Sequence, residues 1–156
     1  MYSQIEMSLH QDGRLLVLGD DHGNDPGTID VLFTTRFYNG GNRRYNWTHE
    51  IFVYVPIEFA DLDDGDYWRY AMGVGYEFKV SKRISVLPSF DYGATTRWNA
   101  TAFSYNGLLE LGYNLTPKLR LGVLGAITQR PDLYYKWETT TPTYSLYFGL
   151  TYMVAK

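Results

Sequence analysis

The chain has no cysteine, which excludes disulfide staples and thiolate chemistry alike. No run of 18 or more apolar residues occurs, so a membrane-spanning helix is excluded as well. A net charge of −3 is too small to argue for nucleic acid or for a strongly charged partner. Met1 leads into Tyr-Ser-Gln-Ile, with no basic segment followed by an apolar one, so no signal peptide is visible. With the strand pattern described below, the expectation is a mature sequence carrying an added start Met. No cofactor motif is evident, and no cofactor is expected.

Aromatic residues, in contrast, are abundant. The 156 residues include 15 Tyr, 8 Phe and 4 Trp, together with 15 Gly. Mean hydropathy is nevertheless slightly negative, at −0.30. Strands that alternate apolar and polar residues give that combination. The clearest case is residues 68–80, where Trp68, Tyr70, Met72, Val74, Tyr76, Phe78 and Val80 alternate with Arg69, Ala71, Gly73, Gly75, Glu77 and Lys79. A strict period of two means an extended strand with chemically opposite faces. The run exceeds the usual soluble strand of about 5–6 residues and suits a tilted bilayer crossing of roughly 9–11 residues.

The same alternation predicts eight strands, near 2–10, 28–38, 45–59, 68–80, 84–95, 102–115, 119–130 and 143–154. The connection 11–27 reads as a long polar loop, in which Leu15–Leu18 either extend the first strand or pack inside. Asn39-Gly40-Gly41-Asn42 is a turn signal. Residues 60–66, 96–101 and 131–142 read as loops, whereas 81–83 and 116–118 read as tight turns. Pro56 and Pro88 fall inside predicted strands, where each removes a ladder donor, and a bulge is expected at each. Neighbouring hairpins without helices predict an all-β, eight-stranded antiparallel up-and-down barrel in one domain. Short turns on one rim and longer loops on the other match a transmembrane barrel.

The competing architecture is a soluble small-ligand-binding barrel with its apolar set inside. An eight-stranded barrel is just wide enough for side chains to fill, and this apolar set is too large for that space. The opposite set, rich in Gly and Ala with scattered charge, suits a crowded lumen. With the apolar face outward, Trp47, Tyr76, Tyr113 and Tyr152 fall near the short-turn rim, and Trp68, Tyr70, Tyr105 and Tyr144 near the loop rim. Two aromatic belts around an aliphatic band are a membrane-interface signature.

On these features the chain resembles the small eight-stranded outer-membrane barrels of Gram-negative bacteria, such as the membrane domain of outer membrane protein A and the outer membrane protein X group. The ending Tyr147-Phe148-Gly149-Leu150-Thr151-Tyr152-Met153-Val154 is similar to the C-terminal insertion signal of that class. It departs in continuing to Ala155-Lys156, where a final Phe is common. The resemblance implies a bacterial outer-membrane location, with membrane lipid and lipopolysaccharide as surroundings and both termini in the periplasm.

Several side-chain sets are candidates for function. The inward set holds Glu6, Asp30, Glu50, Glu58, Glu77, Asp91 and Glu110 with Arg36, Arg69, Lys79, Arg120 and Arg130. Buried charges must pair, because an unpaired ion costs several kcal/mol. A salt-bridged plug is therefore expected, with a narrow ion or solute path as the alternative. The acidic loops 20–25 and 61–66 have hard-cation ligand types without EF-hand spacing, and no metal site is assigned. In the last loop Tyr134, Tyr135 and Trp137 either anchor at the interface or meet a protein or surface ligand. The resembled class also includes lipid-modifying enzymes, which place a Ser with a His or acidic partner at the rim. Here Trp47-Thr48-His49-Glu50 offers His49, but its strand neighbours face the other way, and no His-any-Ser arrangement occurs. The expectation is a non-enzymatic membrane anchor that presents loops for recognition or adhesion.

Overall fold

The computed structural model describes residues 3–19, 25–39, 49–62, 65–129 and 142–155. Its strands are β1 (Ser3–Asp12), β2 (Ile29–Asn39), β3 (His49–Asp61), β4 (Tyr67–Lys79), β5 (Ile84–Arg97), β6 (Ala100–Thr116), β7 (Leu119–Thr128) and β8 (Thr143–Ala155). Each pairs antiparallel with its sequence neighbour, and β8 pairs with β1 to close the barrel. Closure leaves no unpaired strand edge, which a bilayer demands because it offers no water to satisfy backbone groups.

The alternation in the sequence becomes an inside-out distribution. On β4, Trp68, Tyr70, Met72, Val74 and Phe78 are exposed, whereas Tyr67, Arg69, Gly73, Gly75 and Glu77 are buried. The same holds around the ring, with Met7, Leu9, Phe33, Ile51, Val53, Leu109, Leu121 and Phe148 outside. A contiguous apolar surface of this size is untenable in water; against hydrocarbon it is the solvated face of a transmembrane barrel. Trp68, Tyr70, Tyr113, Tyr144 and Tyr152 are exposed on that face, with Tyr76 and Tyr105 partly covered. Trp47 lies outside the described residues.

Strand direction defines two rims. The terminal rim carries connections 40–48, 80–83 and 117–118, and the far rim carries 13–28, 62–66, 98–99 and 129–142.

Three expectations need correction. The chain after β1 is not merely a polar loop: it contains a short helix, α1 (Gly13–Leu18). The Asp12 side chain accepts from the Arg14 N–H at 2.8 Å, satisfying an end donor as an N-cap does. Gly19, at φ 68°, closes the helix by donating to the Leu15 carbonyl at 3.3 Å. The expected loop at 96–101 is instead a two-residue hairpin turn, with Trp98 and Asn99 both at positive φ (50° and 60°). That geometry matches the twist of antiparallel strands, so β5 and β6 run on through it. Finally, no bulge forms at either proline. Thr34 pairs with Pro56 and Pro88 with Leu109 in unbroken register. Flanking pairs hold the alignment while each proline merely omits a bond. Among the described residues, register shifts occur instead at Ile5/Glu6 and Asn114/Thr116.

Candidate functional site: the braced lumen and the far rim

Inward-facing positions supply a lumen with three kinds of filling. Its middle is apolar and aromatic: Leu32, Tyr38, Phe52, Tyr54, Leu87, Leu108, Leu124, Ala126 and Tyr147 form one buried cluster. Phe52 lies 5.3 Å from Tyr38 and 5.7 Å from Tyr54 between ring centroids. Register explains how these rings fit, because Phe52 faces Gly75 and Tyr54 faces Gly73. A Cβ at Gly75 would lie 2.2 Å from the Phe52 ring, and one at Gly73 2.3 Å from that of Tyr54.

Toward the terminal rim lies a cluster of two arginines and three glutamates. Arg120 reaches Glu6 at 2.6 Å, Glu77 at 3.4 Å and Glu110 at 3.5 Å. Arg36 hydrogen-bonds Glu110 and sits 3.6 Å from Glu6. Tyr38 donates to Glu6 at 3.0 Å and Ser85 to Glu77 at 2.7 Å. Arg36 is on β2 and Glu110 on β6, four places round an eight-strand ring. That ion pair therefore spans the lumen.

Toward the far rim a second cluster centres on Arg69, which is fully buried. Its guanidinium bonds Asp91, its Nε donates to the Ser104 hydroxyl at 2.9 Å, and Glu58 lies 3.9 Å away. With its amide oxygen turned inward, Asn106 accepts from the same guanidinium at 3.1 and 3.3 Å. Tyr54 donates to Asp91 at 2.9 Å. Tyr147 donates to Glu58 at 2.7 Å and Tyr67 at 3.4 Å. Buried charge is thus met by opposite charge and by hydroxyl donors, which is what makes its burial tolerable.

Of the inward charges expected from sequence, Glu6, Asp30, Arg36, Glu58, Arg69, Glu77, Asp91, Glu110 and Arg120 are all buried. Glu50 and Lys79 pair at 3.5 Å with partly exposed side chains. Arg130, Tyr134, Tyr135 and Trp137 lie outside the described residues, as do 20–24 and 63–64 of the acidic loops. His49 opens β3 opposite Phe78. Three residues were not singled out beforehand. His10 is buried on the inner face, and neither of its ring nitrogens finds a hydrogen-bond partner among the described residues. Arg97 is buried at the far rim, donates to the Gly65 carbonyl at 3.2 Å and stacks 4.1 Å over the Trp98 ring. Arg14 stands on α1. His10 was available from the alternation; the other two required the true ends of β5 and β1.

No family model and no curated protein matches the chain. Solved structures do match in fold. The Yersinia pestis outer membrane protein Ail, in a phospholipid bilayer nanodisc, is 14% identical with a TM-score of 0.59, over 97% of this chain and 98% of that one. A de novo designed barrel, TMB2.3, is 15% identical with a TM-score of 0.56, over 99% and 96% of the two chains. The outer membrane enzyme PagL is 9% identical with a TM-score of 0.55, over 97% and 99%. Such identities speak to fold alone. A protein described by its attachment locus, an enzyme and a design share this barrel, so the fold does not select among functions. Closed antiparallel architecture, apolar exterior and braced polar interior together make the chain an integral β-barrel of the outer-membrane class.

Proposed function

We propose that the protein is a non-enzymatic anchor of the bacterial outer membrane, with both termini periplasmic, that presents its far-rim connections for recognition at the cell surface. The observation that carries this reading is the contrast between the two rims around a cross-braced lumen. The terminal rim has the short connections 80–83 and 117–118 beside the longer 40–48, whereas the far rim, beside the short 62–66 and 98–99, bears the two longest, 13–28 and 129–142. Because β8 pairs with β1, these two long connections leave the barrel side by side. In sequence Tyr134, Tyr135 and Trp137 belong to the second of these connections and the acidic stretch 20–25 to the first. Function concentrates in loops held on a rigid scaffold, and Tyr and Trp are frequent anchors of protein contacts. The attachment invasion locus protein of Yersinia pestis, similar in fold, has been solved with the heparin analogue sucrose octasulfate. The acidic stretches 20–25 and 61–66 repel such a polyanion, so a neutral or basic protein surface suits this chain better. Kinship with the outer membrane protein A and X groups belongs to the same proposal.

The test compares bacteria expressing the full chain with bacteria expressing a variant lacking 132–140, on protein-coated surfaces and cell monolayers. Attachment should fall to background in the variant while the barrel keeps its heat-dependent gel mobility. Undiminished attachment would remove the far-rim reading. The enzyme alternative predicts an altered lipopolysaccharide mass that reverts in His49→Ala; an anchor leaves that mass unchanged in both.

A further inference from the structure

The two rims of the barrel carry opposite charge. The terminal-rim connections 40–48, 80–83 and 117–118 contain Arg43, Arg44, Lys82, Arg83 and Lys118 and no acidic residue. The far-rim connections contain eight acidic residues against three basic ones. At the terminal rim Lys79 is paired, with Glu50 at 3.5 Å. Lys82, Arg83 and Lys118 are exposed, and none of them forms an ion pair among the described residues.

Local hydrogen bonds set these cations beside the end of β6. The Ser81 hydroxyl accepts from the N–H groups of Arg83 and Ile84 at 3.2 and 3.1 Å, which shapes the turn 80–83. The Arg83 carbonyl accepts from the Asn114 N–H at 2.7 Å, and the Arg83 Nη1 donates to the Tyr113 hydroxyl at 3.1 Å. The turn 117–118 follows directly on β6, with the Lys118 N–H donating to the Thr116 hydroxyl at 3.2 Å. Both turns therefore adjoin the last residues of β6. There Leu115 is exposed, with Tyr113 and Leu111 behind it on the same outward face.

The occupant follows from depth and charge. Tyrosines of an aromatic belt sit at the level of the lipid head groups. The Arg83 guanidinium bonded to Tyr113 is then at the level of the phosphates, with apolar side chains on its membrane side. A long cationic side chain at such a boundary rests its stem on apolar surface and offers its charge to the head-group layer. A planar guanidinium with two ammonium groups on the adjoining turns complements a phosphate.

We propose that Lys82, Arg83 and Lys118 form a head-group site for an anionic phospholipid, with its acyl chains along the outward side of β6 at Leu115 and Leu111. The inference rests on the outer-membrane reading above and adds to it a defined lipid contact; with the termini periplasmic, this rim meets the inner leaflet.

The test is native mass spectrometry of the full chain in mild detergent. The probes are phosphatidylglycerol and phosphatidylethanolamine with identical acyl chains, supplied in equal amounts. The variants are Arg83→Gln, the triple Lys82→Gln/Arg83→Gln/Lys118→Gln, and Arg14→Gln at the far rim. Wild type should retain phosphatidylglycerol in preference to phosphatidylethanolamine. Each lost cation should weaken phosphatidylglycerol about fivefold, so the triple variant binds it about a hundredfold more weakly. Phosphatidylethanolamine should change little, and Arg14→Gln should keep the wild-type preference. Equal retention of both lipids by wild type, or an undiminished preference in the triple variant, would overturn the site. So would a loss in Arg14→Gln as large as that in the triple variant. Wild type that captures an oligoglutamate peptide without preferring either lipid would assign the rim to an acidic protein instead. Heat-dependent gel mobility of each variant keeps the questions separate. A folded, detergent-requiring barrel without lipid preference sinks this site alone, whereas a barrel soluble without detergent sinks the membrane reading with it.

Discussion

The two charge clusters of the lumen solve one problem in different ways. Among the described residues the far cluster centres on one cation: Arg69 serves Asp91 and Glu58, and tyrosine and serine hydroxyls complete the arrangement. The terminal-rim cluster is redundant, because Arg36 and Arg120 both reach Glu6 and Glu110. It is also less fully satisfied. Arg36 Nε and Nη1, Arg120 Nε and both nitrogens of nearby His10 lack hydrogen-bond partners among the described residues. A single pivot is vulnerable to one substitution; a shared set degrades in steps.

That contrast orders the expected effects. Arg69→Ala should be the most damaging lumen change, costing about 3–5 kcal/mol, because it removes the arginine that Asp91 and Glu58 share and leaves their buried charge to hydroxyl donors. Urea unfolding in detergent, followed by tryptophan fluorescence, reads it; a loss no larger than that of Arg36→Ala would break the comparison. Arg36→Ala should cost less, about 1–3 kcal/mol, since Glu110 and Glu6 keep Arg120. Tyr147→Phe removes one of several donors to Glu58 and should cost about 1 kcal/mol. A cost matching that of Arg69→Ala would mean that the hydroxyls, rather than the arginine, hold the far cluster. Lys79→Ala, at a partly exposed pair, should change stability by less than about 1 kcal/mol. A larger change would show the rim to be as dry as the lumen.

Period-two alternation made the strands legible, and with them which residues face lipid and which face inward. Residues 68–80 alone suffice for that inference. The pairing of inward charges was not legible, because alternation assigns a face without assigning a partner across the barrel. Nothing local links Arg36 to Glu110, which meet only because β2 and β6 are opposed. Short-range exceptions were hidden for different reasons. The helix α1 is too short for a helical period to emerge, and its cap, Asp12, also reads as a strand end. The turn at Trp98-Asn99 lacks the glycine that usually marks positive φ, so it resembled a longer loop. Pro56 and Pro88 looked like breaks because their missing donors are visible in sequence, while the pairs that hold their register are not.

The central claim is a lumen braced shut, with recognition left to the far rim. Planar-bilayer recording of the purified chain, with insertion verified independently, tests it most directly. The account predicts no discrete conductance steps from wild type. Steps in wild type that change with Arg69→Ala or Glu110→Ala would contradict it and make the charged lumen a conducting path.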